Sequence, residues 1–177
     1  TQEISTPSYA SNELIVDCSL NNPDQKVRNV KDLDYAVGLI HSAMGEGTGF
    51  IVSLTQRYIL TCSDVIENGS SFEFRMLSGE FITHARVIWN NYEQDMALME
   101  VAELPADARY LQLDNAIDQN PDKLTKLILC GYPDGSAFAS GVSLVEGAIN
   151  NYEKQHAWND RCFDTIYANV SATHGCS

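Results

Sequence analysis

Basic residues are scarce in this chain: 11 Lys and Arg stand against 24 Asp and Glu, giving a formal net charge of −13 over 177 residues. No block of like charges occurs, so the negative field is spread over the surface. Such a field opposes binding to nucleic acid or to an anionic membrane, because both need clustered Lys and Arg to displace counterions. Neither is expected as a partner. No apolar run approaches the roughly 20 residues that a membrane helix requires. C-x-x-C pairs are missing as well. Cys18, Cys62, Cys130, Cys162 and Cys176 form no C-x-x-C pair and have no histidine at ligand spacing, which argues against a zinc site. No metal or other cofactor is expected. An odd count leaves at least one thiol free or paired outside the chain. Cys62 and Cys130, inside apolar strands, read as buried and reduced.

What is present suits a globular protein. With 44% hydrophobic residues the chain can bury a sizeable core as one domain or as two small packed halves. It begins at Thr1, not Met, with a polar, unpatterned lead of roughly a dozen residues, which fits either removal of a leader or a piece cut from a longer chain, and an extracytoplasmic or secreted location is expected. Asn68-Gly-Ser and Asn169-Val-Ser fit the glycosylation sequon, a short pattern that counts only in a secretory source.

Periodicity points to strands. Short runs rich in Val, Ile, Leu, Phe and Tyr recur at AVGLIHS, TGFIVSL, RYILTC, SFEFRML, FITHARVIW, MALMEVA, KLILCGY, VSLVEGAIN and DTIYANVS. Turn signals separate them, among them Asn68-Gly69, Ser78-Gly79 and Pro133-Asp134-Gly135. This pattern predicts an all-β sandwich or barrel. A single helical turn is expected at SDVIEN, with Ser63 as its N-cap. His41 and His84 fall in predicted strands, and His156 in a loop. Residues 104–123, polar and with two prolines, read as a connection between two β halves.

Four short motifs then arrive in order. They are Gly47-Thr48-Gly49-Phe50-Ile51 followed by Ile59-Leu60-Thr61, the segment YEQDMALMEV, the pair LCGYPDGS and GVSLVEGAIN, and TIYANVSATHGCS at the end. Each alone is weak. Together they resemble the trypsin-like (chymotrypsin-fold) serine proteases, in particular the bacterial branch of high-temperature-requirement proteases and glutamyl endopeptidases. The resemblance runs from about Val37 to Ser177. It implies two antiparallel six-stranded β-barrels: a lead at 1–36, a first barrel at 37–103, a connection at 104–123 and a second barrel at 124–177. It also implies that Asp95 orients the catalytic base, that Ser177 is the nucleophile, and that the amides of Gly175 and Ser177 form the oxyanion hole. His174 falls at the rim of the specificity pocket, a substrate-binding position. Cys176, by contrast, does not align with the nucleophile.

Two departures accompany the match. The family's histidine falls on Asp64, and an aspartate, with a reference pKa of about 3.9, is a poor proton acceptor at neutral pH. A carboxylate is also shorter than an imidazole and stops short of the serine oxygen. In the family further strands follow the nucleophile, so the second barrel is expected to be completed by residues beyond Ser177 or by a second chain. Two functions follow from the resemblance. One is a protease homologue without peptidase activity that binds a peptide or protein ligand as a regulatory module. The other is a serine endopeptidase in which Asp64 is an inactivating substitution or part of a Ser–carboxylate site working at acid pH. Asp64 and Asp95 also have plain readings, as a residue complementing a helix dipole and as an acceptor of backbone hydrogen bonds.

Overall fold

Strands form here because apolar side chains alternate with polar ones, and the alternation sets which face is buried. The computed structural model describes residues 16–113, 122–133, 141–158 and 161–170. Six strands close into an antiparallel barrel: β1 (Val37–Ser42), β2 (Gly45–Ser53), β3 (Tyr58–Thr61), β4 (Phe72–Met76), β5 (Phe81–Asn91) and β6 (Met96–Val101). Their order around it is β1-β2-β3-β6-β5-β4. In β4 the pattern is plainest, with Phe72, Phe74 and Met76 buried inside while Glu73 and Arg75 face out. Ile40, Ile51, Ile59, Met99 and Val101 fill the same interior. Each such side chain contributes about 1.5–3 kcal/mol by leaving water. One helical turn, α1 (Ser63–Ile66), follows β3.

A second sheet holds β7 (Lys126–Gly131), β8 (Ser143–Trp158) and β9 (Arg161–Ala168), in the order β7-β8-β9. Among the described residues it stays three-stranded, so the architecture is one closed barrel plus a sheet. All nine strands coincide with the runs read from sequence. β8 runs on to Trp158, however, and takes in His156, which the sequence placed in a loop. Pairing with β9 carries that polar segment, through two register shifts.

Residues 16–36 precede the barrel and pack onto it through short turns. Three 3₁₀ turns, Cys18–Leu20, Pro23–Gln25 and Val30–Tyr35, are each capped by an Asp or Asn side chain. Buried Asn21 donates to the carbonyl of Val52 (3.0 Å) and accepts from the amide of Leu54 (2.8 Å), fastening the segment to the end of β2. Asp34 reaches further and accepts from the amide of Val142 just before β8 (3.1 Å). Leu33, Val37, Leu39 and Tyr132 form a second apolar cluster between barrel and sheet.

Candidate active site

The turn from β3 into α1 is set by a bare glycine. A Cβ on Gly47 would lie 2.5 Å from a methyl of Val65, so α1 can rest on β2 only where that position has no side chain. Below the turn, the Thr61 hydroxyl donates to the Thr48 carbonyl (2.8 Å). The Thr48 hydroxyl in turn accepts from the amide of Tyr132, the residue after β7 (2.9 Å). Three segments that are separate in sequence are thereby tied into one buried network, where each bond contributes about 1 kcal/mol net.

The helix start differs from the sequence expectation. Cys62, not Ser63, is the N-cap, and its side chain makes no capping bond. The Ser63 hydroxyl instead donates to Asn90 Oδ1 (2.6 Å). Capping comes from across the chain: Asp95 Oδ1 accepts from the amides of Ser63 (3.1 Å) and Asp64 (3.3 Å). Asp95 closes a turn onto the Tyr92 carbonyl and sits in the left-handed region at φ 53°. Asp tolerates that conformation better than most residues, and an anion is favoured beside unpaired helix amides.

Asp64 is exposed and Asp95 half-buried. The Cys62 sulfur and one carboxylate oxygen from each aspartate lie within 4.8 Å of one another. Burial, and then the charges of Asp95 and Asp64, push the Cys62 thiol up to about 11. At neutral pH it is therefore protonated and a poor nucleophile. The trio suits a metal ion poorly, since the thiol resists ionisation and Asp95 already serves two amides. Beside it runs a cleft of about 360 Å³ between the barrel and β7. Phe50, Leu60, Met96 and Leu111 line one side and Ile128 and Cys130 the other, with Cys62 and Asp95 in the wall.

The structure thus brings Asp64 and Asp95 together. His174, Gly175, Cys176 and Ser177 lie outside the described residues. His41 and His84 stand on the outer face of the barrel, in register with Glu73. Sequence reasoning missed Cys62 as the third member of the cluster. Its one signal was its place two residues before Asp64 at the end of a strand.

The family described as trypsin-like peptidase domain matches residues 47–177. The structure of the Rv3671c protease in an inactive form aligns with a TM-score of 0.69 at 19% identity, covering 84% of this chain and 71% of that one. The active form of that protease, from M. tuberculosis, aligns at 0.68 with 18% identity, over 91% of this chain and 68% of that one. The HtrA-type protease AlgW with a tripeptide gives 0.66 at 20% identity, over 81% of this chain and 46% of that one. At these identities the likeness is one of fold. No curated protein sequence matches the chain.

Proposed function

Because the chain belongs to the trypsin-like peptidase family, we propose that it is a protease homologue whose cleft holds a peptide or protein segment without cutting it. The observation that supports this reading is the double hydrogen bond from the amides of Ser63 and Asp64 to Asp95. It fixes the backbone at position 64 beside the orienting carboxylate, and the side chain that leaves it is another carboxylate. Peptide hydrolysis by a serine needs a group that takes the hydroxyl proton and returns it to the leaving amine. A carboxylate is a poorer carrier for that proton than an imidazole.

In this reading residues 1–36 are a lead, 37–103 the first barrel, 104–123 the connection and 124–177 belong to a second barrel. Ser177 occupies the nucleophile's place, the amides of Gly175 and Ser177 form the oxyanion hole, and His174 lines the pocket rim. A second reading rests on the proximity of Asp64 and Asp95. Two carboxylates that share a proton could activate Ser177 at acid pH, which would make the protein an endopeptidase.

A fluorophosphonate probe on the full-length protein separates the two. No adduct at Ser177 is expected at neutral pH, and a mixed peptide library should be retained uncut. Stoichiometric labelling at neutral pH overturns the proposal. Labelling and cleavage confined to acid pH establish the second reading.

A further inference from the structure

On the outer face of the barrel, four side chains stand in one row across four strands. Glu46 of β2 is paired with His41 of β1, His41 with Glu73 of β4, and Glu73 with His84 of β5. Directly opposed residues of antiparallel strands place their Cβ atoms about 4.5–5.5 Å apart on the same face. The row is therefore a continuous alternation of carboxylate and imidazole. The inward neighbours of the two middle members, Ile40 and Phe74, belong to the core, so the row faces outward.

We propose that His41, Glu73 and His84 form a binding site for a divalent transition-metal ion of the zinc or nickel class, with Glu46 as the residue that orients His41. Glu46 Oε1 lies 2.8 Å from His41 Nδ1. A carboxylate there holds the proton on Nδ1 and leaves the Nε2 lone pair to a metal, the usual arrangement for ligating histidines. Arg75 takes only one oxygen of Glu73, with both of its bonds going to Oε2 (3.0 and 2.7 Å). Oε1 of Glu73 makes neither of those bonds. Strands lie about 4.8 Å apart, so the two histidine backbones are separated by roughly 10 Å across β4, and both imidazoles can lean over Glu73. As placed, the donor atoms are not drawn to within 4.8 Å of one another, the only such group among the described residues being the cleft trio. Closing on one ion requires rotation of exposed side chains, His84 above all. Two imidazoles and a carboxylate are a donor set for zinc or nickel, with water filling the remaining positions.

Titration of the untagged protein with Zn²⁺ and with Ni²⁺, followed by calorimetry, tests the site. One ion per chain is expected, with binding abolished in His41→Ala and in His84→Ala and weakened roughly 10–100-fold in Glu46→Gln. Arg75→Gln should tighten binding, because it removes the cation competing for Glu73. Cys62→Ala should leave the isotherm unchanged. Binding should weaken at acid pH, because protons compete with the metal for its ligands. Far-ultraviolet dichroism checks that each variant is folded, and Glu73→Gln serves as a second ligand variant if a histidine variant is not. Stoichiometric binding that survives both histidine substitutions, or is lost in Cys62→Ala, overturns the proposal, as does the absence of binding by either ion.

Discussion

Asp95 caps a helix that it does not belong to, holding the amides of Ser63 at 3.1 Å and Asp64 at 3.3 Å from one carboxylate oxygen. The bond spans 32 residues and ties the turn before β6 to α1. Asp95→Ala should cost about 1–3 kcal/mol, the range for a lost cap and for amides left without a partner. Asp95→Asn keeps an acceptor oxygen and should cost less. Urea denaturation of the three proteins checks the order, and an Ala variant as stable as the parent would remove Asp95's structural role.

Thr48 offers the matching test between barrel and sheet. Thr48→Val removes the acceptor of the buried Tyr132 amide while keeping the side chain's shape, and should cost about 1–3 kcal/mol. Thr48→Ser retains the hydroxyl and should recover most of it. Hydrogen exchange at the Tyr132 amide gives the local readout, which should quicken in the Val variant alone.

Cys62 predicts a pH dependence with a definite sign. Its proton is held more tightly in the folded chain, where the thiol titrates near 11 against an ordinary 9.0. Below 9.0 both folded and unfolded chains keep the proton, and the contribution is fully present. Between 9.0 and about 11 the unfolded chain ionises first, so stability is lost as pH rises through that window. Cys62→Ala should therefore lose less stability than the parent between about pH 8 and about pH 10.5 in paired denaturations. Asp64→Asn removes one of the charges that raise the thiol. It should speed alkylation of Cys62 by iodoacetamide, by at most about tenfold per pKa unit recovered. An unchanged rate would mean that burial and the Asp95 charge govern the thiol without Asp64.

The strands were legible because the chain writes them twice, as apolar alternation and as the turns between. At Phe72–Met76 the pattern alone gives both the strand and its inward face. The end of β8 was not legible, since the segment from Tyr152 is polar and becomes a strand only through pairing with β9. Residues 16–36 gave no signal for a related reason: capped 3₁₀ turns leave no periodic signature, and Asn21 is buried because it satisfies β2, not because it is apolar. Motif order gave Asp64 and Asp95. Cys62 gained meaning only when a residue 33 positions away came within 4.8 Å. The Glu46–His41–Glu73–His84 row is likewise invisible before register is known, because a slip of one residue would turn each side chain to the other face.

The last prediction asks what the absent imidazole is worth. Asp95 fixes the backbone at position 64 and, as a carboxylate with two oxygens, has acceptor capacity beyond the two amides it holds. A histidine placed there would have an orienting partner for Nδ1 and would direct Nε2 toward the place proposed for Ser177. Asp64→His in the full-length protein should then raise peptidase activity by about 10²–10⁴-fold over the parent, the usual scale of general acid–base catalysis. The gain should appear as pH rises through about 6 to 7, where imidazole loses its proton. Ser177→Ala in the same background should abolish it, which ties the activity to the proposed nucleophile. A folded Asp64→His protein that cuts nothing in a mixed peptide library would mean that position 64 is not the missing part. The second sheet would then hold no catalytic geometry for any base to serve, and binding alone would remain as the role of the cleft.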